Sequence, residues 1–420
     1  MYSLAFSLLF VSFVVLTLVL RFWLATRQLR HVAAHRDAVP LEFAEKISLA
    51  DHQKAAAYTG AKLQFGMLNL VVESAVLIAF TLLGGLQLLA STIVGLTGPG
   101  MQYQIALLLS YIFISGLLDL PFDYYRQFVL EQRFGFNKMT VRLWLTDQLK
   151  YAALGLALGL PVLWVVLQLM RESGQLWWLY SWLVLIGFQL LMMVIAPTWI
   201  MPLFNKFTPL EDASLKQRIE GLLDRAGFVA KGLFIMDGSK RSGHSNAFFS
   251  GFGANKRIVF FDTLIARLTP AEMEAVLAHE LGHFKLKHII KMIVTSSVLT
   301  LVFLALLGYL KQQTWFYTGL GVDPVHSAGN DAMALILFML VVPVFTFIFS
   351  PLSSIRSRKH EFEADAFAAS HTDARDLVSA LVKMYEDNAS TLTPDPLYSA
   401  FYDSHPPASL RIKHLTLAKS

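Results

Sequence analysis

Residues 279–283 read His-Glu-Leu-Gly-His, a pattern that suits a metal-dependent hydrolase. On a helix, residues four apart share a face, so the imidazoles of His279 and His283 can reach one ion. Glu280 lies beside them, where its carboxylate can take a proton from a water that zinc has made acidic. Two ordinary helical histidines are the alternative interpretation. The pattern favours a zinc centre with Glu280 as its base.

Two histidines do not complete such a centre, because a catalytic zinc usually takes three protein ligands. The chain has no cysteine, so the third ligand must be His, Asp or Glu. Glu361 and Asp365 share a helical face beside the small residues Ala364 and Ala368, which permit close helix packing. One carboxylate could bind the ion and the other orient a ligand histidine. Glu363 points elsewhere and is expected to be a solvated charge.

The elements that must position these residues have clear local signals. Thr269 is a good N-cap, Pro270 fits the first helical position, and Glu272 completes a capping box. Lys285 and Lys287 suit the C-terminal end of the same helix. The sequence therefore predicts a helix over 269–288 that carries the histidine pair.

The residues before this helix predict a small α+β unit. An amphipathic helix is expected over 211–227, and short strands over 232–237 and 256–261. The stretch 238–255 is rich in Gly, Ser and Asn, which suits a hairpin loop with an irregular or edge strand. The apolar face of the helix consists of Leu215, Ile219, Leu222 and Leu223.

Composition places the rest of the chain in a membrane. Hydrophobic residues make up 55% of the 420 residues, charged residues 15%, and the mean hydropathy is +0.52. These values exclude a disordered chain and argue against a wholly soluble one, and the net charge of +5 does not indicate a nucleic-acid partner. Seven stretches are apolar enough to cross a bilayer: 3–25, 65–95, 103–122, 151–170, 176–200, 289–310 and 332–350.

Lysine and arginine alternate along the chain, which predicts the orientation of the spans. The loops 96–102, 171–175 and 311–331 contain only Arg171 and Lys311. By the positive-inside rule these loops lie outside, together with the N-terminus, and the basic segments lie in the cytoplasm. Four segments are predicted. They are a membrane domain with five spans, a cytoplasmic segment with the histidine pair, spans six and seven, and a C-terminal segment that completes the zinc site: 1–200, 201–288, 289–350 and 351–420.

Over nearly its whole length the sequence resembles the type 1 CAAX prenyl proteases, which are integral-membrane zinc metalloendopeptidases. The resemblance includes seven spans, the His-Glu-Leu-Gly-His motif before the sixth span, and Glu-Phe-Glu-Ala-Asp after the seventh. Further matching segments are 131–137, 238–248, 255–264 and His405-Pro-Pro407. The implied fold is seven transmembrane helices enclosing a chamber, with a cytoplasmic, zincin-type α+β metalloprotease domain split by the last two spans.

The resemblance implies roles for the candidate residues. His279, His283 and Glu361 would bind one zinc ion per chain, Glu280 would be the general base, and Asp365 would support a ligand. His405 would help to stabilise the oxyanion; its alternative role is simply to precede a helix beside a Pro-Pro turn.

The resemblance also implies how substrate binds. The segment around Asn246 and Ala247 would be an edge strand that pairs with an extended peptide or protein substrate, lipidated or not. Membrane lipid is the other expected partner. Short loops and a minimal C-terminus suggest a bacterial homologue, located in the inner membrane with its zinc site on the cytoplasmic side.

Three other functions compete with this interpretation. A membrane-protein quality-control protease would use the same site. An intramembrane-cleaving protease needs its motif inside a span, whereas here charged residues flank the motif. A transporter or scaffold would suit Glu73, Asp119 and Asp123, since carboxylates at membrane depth mark pathways, but it does not require a complete set of zinc ligands.

Overall fold

Long apolar helices make up most of the first half of the chain. The computed structural model describes residues 1–229, 232–250, 257–324 and 329–417. Six helices precede the polar domain, and all except the third are long and apolar enough to cross a membrane. In chain order they are Tyr2–His35 (α1), Leu49–Phe80 (α2), Gly85–Thr97 (α3), Met101–Glu131 (α4), Val141–Glu172 (α5) and Gly174–Phe204 (α6).

The polar domain begins after α6 and is interrupted by two further apolar helices. Its first part contains Phe207–Pro209 (β1), Ala213–Arg225 (α7), Gly232–Met236 (β2), Ala247–Ser250 (β3), Arg257–Phe261 (β4), Asp262–Ile265 (α8) and Pro270–Lys285 (α9). The remaining helices are His288–Leu310 (α10), Thr314–Thr318 (α11), Asp331–His371 (α12), Ala374–Asp387 (α13), Pro396–Tyr402 (α14) and Ala408–Leu417 (α15). With α10 and α12, seven helices within the described residues can span a membrane, which confirms that prediction.

The predicted second span, 65–95, is wrong as a single element. The structure breaks it between α2, which starts earlier at Leu49, and α3, which has only 13 residues. At the break Gly84 has a φ of 79°, in the left-handed region that glycine adopts without steric cost. The hydropathy of the segment is continuous, but a turn closed by a hydrogen bond from Gly84 N–H to the carbonyl of Thr81 interrupts the helix there.

The membrane helices share one apolar core and expose apolar side chains elsewhere. Phe10, Leu107 and Leu167 are completely or almost completely buried in this core, together with Trp177 and Leu337. Large apolar side chains also point away from the core, as lipid-facing residues do; examples are Leu8, Phe113, Leu183 and Val302.

A four-stranded sheet with the order β1-β2-β4-β3 supports the polar domain. Strand β2 is parallel to β4, and β3 pairs antiparallel with β4 at the edge. The predicted helix and both predicted strands are present, but 238–255 is not a simple hairpin, because the strands on either side of it are parallel. The last part of the predicted loop, 251–255, and the first residue of the predicted strand, 256, lie outside the described residues.

Helix α9 starts with the predicted capping box of Thr269 and Glu272. It packs closely against the second half of α12. A Cβ added at Gly282 would lie 2.9 Å from the Cα of Ala364, so this contact requires glycine on one helix and a small residue on the other. The close approach brings the acidic residues of α12 next to the histidines of α9.

Candidate metal centre

Two helices supply the candidate ligands. Helix α9 carries His279 and His283 one turn apart, and α12 carries Glu361. His279 and Glu361 are almost completely buried, with 7% and 4% of their surface exposed. The structure therefore brings together the three residues that the sequence analysis selected as ligands.

The spacing of the ligand atoms suits a tetrahedral ion. The Nε2 atoms of His279 and His283 are 3.2 Å apart. Glu361 Oε2 lies 3.5 Å from Nε2 of His279, and its Oε1 lies 3.4 Å from Nε2 of His283. Ligands about 2.0–2.1 Å from a tetrahedral zinc are separated by roughly 3.4 Å. All three separations are therefore close to those of a zinc site.

Glu361 gives a second indication of fit. Its Oε2 atom is buried and has no hydrogen-bond partner among the residues that the structure describes. The nearest cation is Arg411, whose Nη1 lies 3.5 Å away, beyond a strong hydrogen bond. A buried carboxylate oxygen without a hydrogen bond is costly, whereas binding to a metal ion satisfies it. Together with the two imidazoles, this carboxylate forms a group of ligand atoms within 4.8 Å of one another. The residues thus fit a metal ion.

Asp365 and Arg411 support His279 from behind. His279 Nδ1 donates to Asp365 Oδ1 at 2.8 Å, which directs Nε2 towards the site. Arg411 binds the same carboxylate with Nε at 2.8 Å and Nη2 at 2.6 Å. Sequence reasoning missed Arg411, because a single arginine on the last helix carries no local signal that it pairs with a buried acid.

Glu280 has the surroundings of a proton-transferring carboxylate. Burial raises the pKa of its side chain, while the nearby His279 and His283 oppose that rise. Glu361 and His405 also contribute to the electrostatic environment of Glu280, so all four groups lie around it. A base with a raised pKa is better matched to proton transfer near neutral pH.

His405 borders both the metal ligands and a large cavity. Its Nε2 lies 3.5 Å from Glu361 Oε1, and the side chain remains 65% exposed. It also lines a cavity of about 730 Å³ whose wall includes Arg21, Lys62 and Glu73 from the membrane helices. A donor at this position can contact a ligand that enters through the cavity.

The predicted substrate strand, β3, is an edge strand of the sheet as far as the described residues show. Phe261 N–H donates to the carbonyl of Asn246 at 3.0 Å, so Asn246 faces β4 through its backbone. Since antiparallel residues alternate, the backbone of Ala247 faces the open edge. The Oδ1 of Asn246 accepts the Ala247 N–H at 2.8 Å. The donor predicted to bind substrate is therefore covered by a short polar side chain.

The three membrane carboxylates have ordinary surroundings. Asn69 donates a hydrogen bond to Glu73, which lines the cavity. Asp123 pairs with Arg126, three residues further along the chain. Asp119 is exposed on α4. None of these contacts requires a transport pathway.

Glu363 is 34% exposed, in keeping with the solvated charge that the sequence suggested, but its carboxylate also has a buried partner. Its Oε2 lies 2.8 Å from Nε2 of His288, whose Nδ1 lies 3.0 Å from Nδ1 of His283. This contact arises because the chain bends between α9 and α10 and brings His288 to this side of α12. Sequence reasoning did not assign a role to His288, although it follows the motif by only five residues.

Two family models together match almost the whole chain. Residues 28–206 match "CAAX prenyl protease N-terminal, five membrane helices". Residues 209–419 match "Peptidase family M48". The junction between the two matches lies directly after α6, and the second match contains the complete ligand set.

Relatives of known name and a solved structure agree with this assignment. CAAX prenyl protease 1 of Saccharomyces cerevisiae is 42% identical over 72% of this chain and 69% of its own. A homologue from Arabidopsis thaliana is 36% identical over 96% of both chains. The crystal structure of S. mikatae Ste24p is 34% identical, with a TM-score of 0.91, over 98% of this chain and 99% of that one. The chain is therefore an integral-membrane metallopeptidase that belongs to peptidase family M48, among the CAAX prenyl proteases.

Proposed function

We propose that the protein is a zinc endopeptidase that binds one Zn²⁺ through His279, His283 and Glu361. The observation that carries this proposal is the set of three ligand side chains at tetrahedral spacing. One of them offers a buried carboxylate oxygen with no hydrogen-bond partner in the described part of the chain. The donor set of two imidazoles and one carboxylate is that of known catalytic zinc sites. It leaves a fourth position for water or substrate.

The side chains around this position suit peptide hydrolysis. The zinc, when bound, acts as a Lewis acid towards water and the scissile carbonyl. Glu280 accepts the proton of the attacking water and passes it to the departing amine. His405 donates a hydrogen bond to the oxyanion from the cavity side, 3.5 Å from the nearest oxygen of Glu361. Asp365 keeps His279 in the tautomer whose Nε2 is free to bind.

The open edge of β3 would hold the substrate in an extended conformation. Ala247 would exchange its contact with the Asn246 side chain for a backbone hydrogen bond to the peptide. Asn246 would then be free to bind the peptide near the scissile bond. Backbone pairing supplies affinity with little demand on sequence, which leaves selectivity to the cavity.

The substrate class follows from the relatives whose printed names are CAAX prenyl protease 1. We propose that the protein cleaves lipidated CAAX-type peptides that enter through the cavity lined by His405. Mass spectrometry of matched peptides with and without a prenyl group tests this directly. Preferential cleavage of the prenylated peptide supports the proposal. Equal cleavage of unprenylated, unfolded chains would instead indicate membrane-protein quality control.

The catalytic unit, formed by 201–288 and 351–420, is proposed to face the cytoplasm of a bacterial inner membrane. The distribution of lysine and arginine supports the orientation. Because the chain has no cysteine, single cysteines can be introduced at exposed positions without background labelling. Cysteines at Glu172 and Asp323 should react with an impermeant reagent on intact cells, and those at Lys240 and Lys413 only after permeabilisation. Labelling of position 323 only after permeabilisation would contradict the orientation. Fractionation of cell membranes tests whether the protein is in the inner membrane.

A further inference from the structure

The second ligand histidine has a polar partner that no part of the proposed mechanism uses. Nδ1 of His283 lies 3.0 Å from Nδ1 of His288, and Nε2 of His288 lies 2.8 Å from Glu363 Oε2. His288 is 4% exposed, so water does not readily replace either contact. The three side chains form a continuous chain of hydrogen bonds that ends at the ligand.

Binding of zinc determines where the protons of this chain must lie. If Nε2 of His283 binds the ion, its Nδ1 carries a hydrogen and can only donate. Nδ1 of His288 must then accept, which places the hydrogen of His288 on Nε2. That N–H points to Glu363, a carboxylate that can only accept. Every donor in the chain therefore meets an acceptor, and only one arrangement of protons satisfies all of them.

From this geometry we propose that His288 and Glu363 are positioning residues for the zinc ligand His283. The inference rests on the proposed zinc site. Through the imidazole of His288, the Glu363 carboxylate fixes the tautomer and orientation of His283, as Asp365 does directly for His279. Each ligand imidazole thus has a carboxylate behind it on α12, one in direct contact and one through a second histidine.

The backbone between α9 and α10 makes this arrangement possible. On a continuous helix, residue 288 would lie about 140° around the axis from residue 283 and could not face it. The structure ends α9 at Lys285, and Lys287 has a φ of 58°. Left-handed backbone is unfavourable for lysine. The strained residue turns the chain so that the His288 ring comes back to His283, at a centroid distance of 5.1 Å.

A second metal ion is the competing explanation for the same residues. Ligand atoms of His288, His360 and Glu363 lie within 4.8 Å of one another. However, the rings of His288 and His360 are stacked at 4.1 Å with an interplanar angle of 10°, so their nitrogens do not converge on one point. An ion on Nε2 of His288 would also displace the hydrogen that the zinc-loaded His283 requires there. The geometry therefore favours a hydrogen atom on Nε2 of His288 over a second metal ion there.

The test measures the zinc affinity of the purified full-length protein by competition with a chromogenic chelator. His288→Phe and Glu363→Leu should each weaken zinc binding by about 10–100-fold. Glu363→Gln should keep most of the affinity, because the amide oxygen still accepts from His288. His360→Phe keeps a ring stacked on His288 and should match the wild type, as should Lys359→Met, which removes the cation 3.9 Å from Glu363.

The variants also separate this role from a structural one. Melting temperatures at saturating zinc should stay near the wild-type value for the Glu363 variants, since that side chain is 34% exposed; these carry the test if His288→Phe does not fold. Wild-type affinity in both Glu363→Leu and His288→Phe would overturn the proposal. So would a loss in Glu363→Gln as large as that in Glu363→Leu, or a loss in His360→Phe accompanied by two zinc ions per chain.

Failure of this inference can be told apart from failure of the proposed function. Tight binding of one zinc by the wild type, with unchanged affinity in the variants, contradicts only the positioning role. A wild type that does not bind zinc contradicts the zinc site, and the positioning role with it.

Discussion

The membrane helices and the catalytic unit are stabilised in different ways. In the membrane region, buried side chains such as Leu107 and Leu337 are apolar, and their neighbours can be exchanged for other apolar residues at modest cost. Around the metal centre the buried side chains are charged or polar, and each depends on a specific partner. Removing one partner of a buried charge pair is far more costly than altering an apolar contact.

This difference shows where function is encoded in the chain. The spans specify length and hydropathy, which many sequences satisfy. The catalytic unit specifies individual atoms, such as Asp365 Oδ1, which accepts from both His279 and Arg411. Substitutions of single atoms should therefore have large effects near the metal and small effects in the membrane, and the following predictions are ordered by that expectation.

Glu280→Gln should have the largest effect. The amide keeps the size of the side chain but cannot accept the proton of water, so turnover should fall by several orders of magnitude. Zinc content and melting temperature should remain close to wild type. Glu274→Gln is the matched control, because Glu274 lies on the same helix but binds Arg218 and Arg225 away from the site. Near-normal peptide cleavage by Glu280→Gln would reject this residue as the base.

Asp365→Ala should have the next largest effect. It removes the acceptor behind His279 and should lower zinc affinity or activity by about 10–100-fold. It also leaves Arg411 as a buried cation without its main partner, which should lower the melting temperature. Glu361→Ala, which removes a ligand, should be more severe in the same assays. If Asp365→Ala lowered zinc affinity more than Glu361→Ala, the roles of the two acids would have to be exchanged.

Asn246→Ala probes the substrate edge, where contacts are made only when a peptide is present. Loss of a substrate hydrogen bond should reduce kcat/KM by an amount equivalent to about 1–3 kcal/mol of transition-state stabilisation. Zinc content and melting temperature should stay nearly unchanged. Ala247→Pro removes the outward N–H and should also reduce cleavage. Thr208→Ala, on the opposite edge strand β1, serves as the control. A variant that is less stable but retains kcat/KM would show that Asn246 only shapes the turn.

Glu73→Gln should have the smallest effect. Glu73 lines the cavity, but its described contact is a hydrogen bond from Asn69, which an amide oxygen can also accept. For soluble model peptides, we expect kcat/KM of Glu73→Gln to fall by less than kcat/KM of Asn246→Ala. A Glu73→Gln variant as inactive as Glu280→Gln would contradict the contrast between the two regions and favour a transport role for the membrane carboxylates.

Where the signals are local, the sequence was sufficient to predict which residues the structure brings together. The capping box of Thr269 and Glu272, the four-residue spacing of the histidines and the pairing of Glu361 with Asp365 each follow from helix periodicity. Contacts between distant elements were not predictable. Arg411 lies 46 residues from Asp365, and His288 reaches His283 only because Lys287 has a left-handed backbone. The break between α2 and α3 was also missed, because hydropathy does not detect a turn within an apolar segment.

Zinc titration of the metal-free protein tests the central claim most directly. After removal of metal with a chelator, the wild type should have no peptidase activity. Addition of Zn²⁺ should restore cleavage in proportion to zinc, with a sharp end point at one equivalent per chain, while His279→Ala and His283→Ala should recover none at that concentration. An end point at two equivalents, activity in the metal-free protein, or full recovery by either histidine variant would contradict a single zinc ion held by His279, His283 and Glu361.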